Sequence, residues 1–220
     1  MAQLIHSDRG LERYDKTLTL QRLLVERVIA DPHQAYLLTV EHPPVITLGR
    51  SADETHVLIP TERLKKQGIE IHSISRGGDV TYHGPGQLVA YPIMKIDRHG
   101  LGVREYLRRL EEVVINVLAE FGITAGRIPG LTGVWAQERK LCAMGVAVRR
   151  WVAYHGLALN VCTNMNHFNL IVPCGISDKK VASMTQLIGT DVAVSEVRPI
   201  LVKWMCELFD FQNVRQDNEL

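Results

Sequence analysis

Extended, β-branched runs follow one another along this chain in groups, and that ordering constrains the fold more than any other feature. Ala35 to Val40 and Val45 to Leu48 are separated by His42-Pro43-Pro44, a junction that cannot continue a ladder. Ile69 to Ile74 alternates ahead of a glycine-rich loop, and Leu88 to Ile96 resumes an extended apolar run, so the loop is expected to join two strands. Gly133 to Gln137, Lys140 to Val148 and Val152 to Val161 then read as three more strands in a meander. A doubly wound sheet would alternate strand with helix. Grouped strands predict instead an α+β fold with mixed, mostly antiparallel sheets flanked by helices.

The helices are expected at the ends and middle. Leu11, Tyr14, Leu18, Val25 and Val28 recur at helical spacing and predict a helix from Leu11 to Ala30. Val103 to Phe121 carries an apolar stripe through Leu107, Leu110 and Val114, with Gly122 placed as a left-handed terminator. Ser177 to Ile188 and Ser195 to Phe209 predict two C-terminal helices, the second with Ser195 as N-cap and Pro199 in about its first turn. Beyond Phe211 the chain is polar and expected to fray.

At 220 residues, with 46% hydrophobic residues and neither repeat nor linker, residues 1–220 are expected to form a single domain. A formal charge of +1 is far from the strongly basic balance of a dedicated nucleic-acid binder and leaves room only for a local basic patch, so no nucleic-acid partner is expected. The longest apolar stretch, Leu88 to Met94, is broken by Pro92 and falls far short of the roughly 20 residues a membrane helix needs. No secretory signal is readable before Ala30, so a cytoplasmic location is expected. Cys142, Cys162, Cys174 and Cys206 contain no C-x-x-C pair, which argues against a zinc ribbon or a dithiol motif and predicts free thiols and no metal.

Chemistry concentrates in four places. Arg76-Gly77-Gly78-Asp79-Val80-Thr81-Tyr82-His83-Gly84-Pro85-Gly86-Gln87 is neither a Walker loop nor a G-x-G-x-x-G helix start. Its glycines let main chain approach a ligand, although a long hairpin connection would use the same residues. Pro173-Cys174-Gly175 could present a sulfur to a thioester, and a nucleophilic thiol needs a neighbouring cation or base to raise its thiolate fraction. Lys140 heads an apolar strand and could stabilise such a thiolate. Strand alternation would put Cys142 on the same face as Lys140, making it a rival nucleophile. His83 and His155 offer an ordinary base. Ala143, Gly145, Gly156 and Ala158 leave room beside the sheet for an elongated apolar group, or allow tight strand packing.

These motifs together resemble the lipoyl(octanoyl) transferase family, also called lipoate-protein ligase B, within the biotin/lipoate protein ligase superfamily. The carriers are Arg76 through Gln87 continuing to Tyr91, Gly133-Val134-Trp135, Lys140 to Gly145, His155 to Ala158, and Pro173 to Ile176. The pairing of the Arg-Gly-Gly loop with a downstream Pro-Cys-Gly separates this family from the ATP-dependent lipoate ligases. The resemblance implies a biotin/lipoate ligase catalytic-domain fold. It implies transfer of an octanoyl group from octanoyl-acyl carrier protein to a lysine of lipoyl domains, those of 2-oxoacid dehydrogenase complexes and the glycine cleavage H protein, with no ATP and no cofactor. By position, Cys174 is implied as the acyl-accepting nucleophile and Lys140 as the residue that lowers its pKa and shuttles protons. Substrate contacts are implied for Arg76, Gly77, Gly78, Asp79, Val80, Thr81, Tyr82 and His83, for Ala143, Met144 and Gly145, and for Gly156, Leu157 and Ala158. Cys142 departs from the small residue the family commonly places there. An ATP-dependent ligase and a catalytically silent carrier-binding module are the alternatives.

Overall fold

The chain builds two sheets. The computed structural model describes residues 3–172, 180–217 and 219–220. The elements run β1 (Gln3–Leu11), α1 (Tyr14–Ala30), β2 (Gln34–Glu41), β3 (Val45–Leu48), α2 (Thr61–Lys66), β4 (Glu70–Ser73), β5 (Val80–His83) and β6 (Gln87–Lys95). They continue with α3 (Val103–Glu120), β7 (Val134–Ala136), β8 (Arg139–Arg149), β9 (Val152–Asn160), α4 (Met184–Ile188), α5 (Val194–Phe209) and β10 (Asn213–Gln216). A seven-stranded sheet has the order β10-β1-β2-β6-β9-β8-β7, and a three-stranded sheet the order β4-β3-β5. β1 lies parallel to β2 and β10, and β3 parallel to β4; the other pairings are antiparallel. The mixed, mostly antiparallel α+β expectation holds, as does the β7-β8-β9 meander.

Each face of the large sheet is buried against helix. α3 and α5 cover one face with Tyr106, Leu110, Val114, Val197, Leu201 and Phe209 packed on Leu37, Leu88, Cys142 and Leu159. α1 covers the other, where Tyr14, Leu24, Val25 and Val28 meet Leu38, Val89, Tyr91 and Ala158. The small sheet has its own core of Ile46, Leu64, Ile69, Val80, Tyr82, Phe168 and Ile171.

Several expectations are corrected. The first helix begins at Tyr14, because Gln3–Leu11 is a strand bonded on both sides and Leu11 is 65% exposed at its end. Its polar residues hid it: His6 and Ser7 are buried, with His6 Nε2 bonded to Thr39 Oγ1 at 2.9 Å. The glycine-rich loop does not simply join two strands, since its centre is the buried strand β5, antiparallel to β3. The tail past Phe211 is not frayed throughout; Asn213–Gln216 pairs with β1. The expected Ser177 helix start lies outside the described residues, and the helix seen is the short α4, capped by the Ser183 hydroxyl on Gln186 N–H. α5 starts at Val194, so Ser195 is inside it and Pro199 lies in its second turn, while Glu196 accepts from the Ala193 N–H at 2.7 Å.

Candidate active site

β8 and β9 pair Ala143 with Ala158 and Gly145 with Gly156, which puts small residues side by side on the α1 face of the sheet. The Arg76–Val80 segment, β5 and Tyr14 of α1 stand over this floor and form a cleft. Its walls include Val80, Thr81, His83, Val89, Tyr91 and His155. Gly78 and Asp79 border it, as do Met144 and Leu157, which also pack toward the α3/α5 core. Gly77 and Tyr82 stand behind it. Gly77 N–H donates to Val146 O at 2.9 Å, and the Tyr82 hydroxyl bonds His167 Nδ1 at 2.7 Å within the small-sheet core.

The glycines fall into two kinds. At Gly156 a Cβ would lie 2.2 Å from Ala90 O, so strand packing itself requires the glycine. At Gly145 a Cβ would meet Gly77 O at 2.8 Å and Arg76 Cδ at 2.9 Å, so glycine lets the loop close over the cleft. Arg76 is 8% exposed and clasps that loop: Nη2 donates to Thr47 O and Oγ1, both at 2.9 Å, and Nη1 to Gly77 O at 3.1 Å. Asp79 ties the other side, accepting from His56 Nδ1–H at 2.6 Å and from Asp53 N–H at 3.2 Å. Much of the Arg-Gly-Gly-Asp sequence is therefore spent on fixing main chain.

Lys140 sits at one end of the cleft and is 6% exposed. Val134 pairs with Cys142 but Trp135 pairs with Lys140, so β8 carries one extra residue here and its alternation slips. Lys140 and Cys142 consequently part company, against expectation. Lys140 joins Gln87, Asn160 and Phe168 around a small hollow that shares Thr81, Ala143 and Ala158 with the larger cleft. Its Nζ lies 4.8 Å from the centre of the Trp135 ring. Cys142 is fully buried in the helix-side core, and burial pushes its thiol far above the ordinary range, outweighing the opposite pull of the Lys140 charge. It is no rival nucleophile.

A line of hydrogen bonds fixes the Lys140 end. His83 Nδ1–H donates to Gln87 Oε1 at 2.7 Å, Gln87 Nε2 to Asn160 Oδ1 at 2.9 Å, and Asn160 Nδ2 to Ala182 O at 3.1 Å. Ala182 N–H donates to Lys140 O at 3.0 Å, and Lys140 N–H to Lys180 O at 2.9 Å. On the other side, Val172 N–H donates to His56 O at 2.8 Å. Cys174, with Pro173, Gly175 and Ile176, lies outside the described residues. The stretches on either side of it are anchored to the cleft's two walls.

The histidines around the cleft are neutral. Burial drives His83 down to about 3, with the His42 ring and the Arg76 charge adding to the effect. Burial and the Arg76 and Arg22 charges likewise take His155 down to about 3, and burial takes His42 to about 4. Such imidazoles make weak bases, and at neutral pH they act through their hydrogen bonds. Among cleft residues, Tyr14 and Val89 carry no site signal in the sequence, where Tyr14 belongs to a helical stripe and Val89 to an apolar run.

Two sheets, one small and one large, closing a cleft over paired small residues define the catalytic-domain fold of lipoate and biotin protein ligases. The bipartite lipoate protein ligase of Thermoplasma acidophilum superposes with a TM-score of 0.77 at 20% identity, covering 99% of this chain and 88% of that one. A biotin protein ligase of Aquifex aeolicus solved with biotin and ATP gives 0.55 at 15% identity, over 96% and 71%. Residues 13–206 match the family described as lipoyl protein ligase A/B catalytic domain. Relatives named octanoyltransferase include those of Desulforamulus reducens, 42% identical over 90% of this chain and 88% of its own length, and of Nostoc sp., 44% identical over 94% and 92%. The chain belongs to this lipoyl protein ligase family, as one of its octanoyltransferases.

Proposed function

We propose that this chain, acting as one catalytic unit over residues 1–220, takes an octanoyl group from octanoyl-acyl carrier protein and delivers it to a lysine of a lipoyl domain through a thioester on Cys174. The observation that carries the reading is Lys140. An ammonium stem buried at the end of an apolar cleft is unusual, and its main chain is bonded to Lys180 and Ala182, just past the Pro-Cys-Gly segment. In this reading the Cys174 thiolate, stabilised by the Lys140 charge, attacks the donor thioester carbonyl, and the carrier's thiolate departs and takes up a proton. The acceptor amine then attacks the enzyme thioester, losing a proton as the Cys174 thiolate leaves. Lys140 relays those protons. Thioester exchange is near balance and the final amide is the more stable product, so no nucleotide is consumed.

The residues listed by resemblance divide accordingly. Val80, Thr81, Ala143 and Ala158 hold the acyl chain, Arg76 and Asp79 hold the loop that covers it, and His83 orients Gln87. The acceptors are the lipoyl domains of 2-oxoacid dehydrogenase complexes and the glycine cleavage H protein, and the reaction takes place in the cytoplasm. Among the described residues, no helix is long and apolar enough to cross a membrane. The test is intact mass spectrometry after incubation with octanoyl-acyl carrier protein. One octanoyl adduct is expected, mapping to Cys174, absent in Cys174→Ala, and discharged by a lipoyl domain without ATP. An adduct that survives Cys174→Ala, or transfer that requires ATP and shows pyrophosphate exchange, overturns the reading.

A further inference from the structure

We infer that Trp135 is a positioning residue for the proposed transfer: the face of its indole carries the Lys140 ammonium and keeps that charge at the end of the cleft. This rests on the acyl-transfer reading above. The two residues are direct cross-strand partners, brought opposite each other by the extra residue of β8. Neither turns its main chain toward the other. Trp135 N–H donates to Gly126 O at 2.9 Å and Gly126 N–H to Trp135 O at 2.8 Å, while Lys140 turns its own N–H and carbonyl to Lys180 and Ala182. They are thus a non-hydrogen-bonded pair, the arrangement in which facing side chains lie closest. Both are buried, Trp135 at 4% exposure and Lys140 at 6%, and Nζ stands over the ring 4.8 Å from its centre.

A hydrogen bond is not what places an indole here, since its Nε1–H is buried and has no partner among the described residues. Phenylalanine would avoid the cost of that buried N–H but offers a weaker face to a cation. An aromatic face attracts the ammonium through its quadrupole and carries no net charge. The field of the lysine therefore remains available to a thiolate, whereas a carboxylate in the same place would cancel it. The buried carboxylate beside Gly133, that of Glu111, is engaged elsewhere: it accepts from Gly133 N–H at 3.0 Å, Arg108 Nη1 at 2.6 Å and Arg127 Nε at 2.9 Å. Gly133 completes the seat. A Cβ there would meet Cys142 O at 2.6 Å and touch Lys140 Cε at 3.4 Å, so glycine lets the main chain run flat against the lysine stem.

The experiment measures alkylation of Cys174 by iodoacetamide at neutral pH, followed by peptide mass spectrometry so that Cys142, Cys162 and Cys206 are read separately. The rate follows the thiolate fraction. Trp135→Leu should slow it about tenfold and Trp135→Phe, which keeps a weaker ring, about threefold. With Lys140→Met already in place, neither change should alter the rate by more than about twofold, because the tryptophan acts through the lysine. A tryptophan that only fills space would slow alkylation by the same factor in both backgrounds. That result, or a rate within about twofold of the parent in every folded Trp135 variant, overturns the inference. If Trp135→Leu does not fold, Trp135→Phe decides. Should Lys140→Met be alkylated as fast as the parent, the acyl-transfer reading fails instead, in the role it gives Lys140.

Discussion

Replacing Gln87 by leucine tests whether the hydrogen-bonded line from His83 to Ala182 holds the cleft together. Gln87 is 1% exposed and its side chain serves three partners: it accepts from His83 Nδ1–H at 2.7 Å and donates to Tyr82 O at 3.2 Å and Asn160 Oδ1 at 2.9 Å. Leucine fills similar space but offers none of these. Tyr82 belongs to a strand whose ladder remains, so the full cost falls on two buried groups, the His83 N–H and the Asn160 carbonyl oxygen. At about 1–3 kcal/mol each, less what leucine regains by burial, the loss is about 3 kcal/mol. For a chain of this size that corresponds to a fall in Tm of roughly 6–12 °C. Thermal and urea unfolding followed by circular dichroism measure it. Because Asn160 also holds Ala182 beside Lys140, kcat should fall with stability. Asn160→Leu should be non-additive with Gln87→Leu by more than about 1 kcal/mol, since both cut one network. A Tm within about 2 °C of the parent, or strict additivity, refutes the reasoning.

Three further outcomes are expected. Under native conditions a thiol reagent should modify exposed Cys162 well before buried Cys142, whose labelling should wait for unfolding; early labelling of Cys142 by peptide mapping counts against its place in the core. Stability should fall on acidification. His42, His83 and His155 are held neutral, at about 4, about 3 and about 3, while the unfolded chain binds protons below about 6.5, so stability present above that pH is lost as pH drops toward 3. Between pH 7 and 5 the loss should be about 2 kcal/mol per histidine, and flat urea midpoints over that range contradict it. Glu111→Ala should cost about 2 kcal/mol. Most of this comes from the buried Gly133 N–H that Glu111 accepts at 3.0 Å, because its Arg108 and Arg127 partners can turn to solvent. Glu111→Gln should recover more than half of the loss in a urea titration.

What the sequence made legible follows from which physical signals survive in one dimension. The meander, α3 and most of α5 were readable because apolar periodicity matched their burial. Gly145, Ala143 and Ala158 were readable as a floor because small residues two apart on paired strands share a face. β1 was not, since its buried His6 and Ser7 are satisfied by partners far along the chain. β5 was masked by the glycines around it. The separation of Lys140 from Cys142 depends on a bulge, which strict alternation cannot reveal. Tyr14 carried no local motif beyond its helical stripe; its place in the cleft comes from α1 bringing it against His83 of β5.

The slip in β8 has one more consequence. Upstream of it the lysine looks into the cleft, and downstream the odd-numbered residues do, so the irregular step between Lys140 and Ala143 is as much a part of the site as its composition. Straightening the strand without losing a residue would set Lys140 on the face of Cys142 and turn the ammonium into the greasy layer beneath α3 and α5. Deleting Leu141 removes the surplus residue and leaves the ammonium on the cleft side as the direct neighbour of Cys142. The irregularity, more than the identity of residue 141, thus keeps the lysine in place.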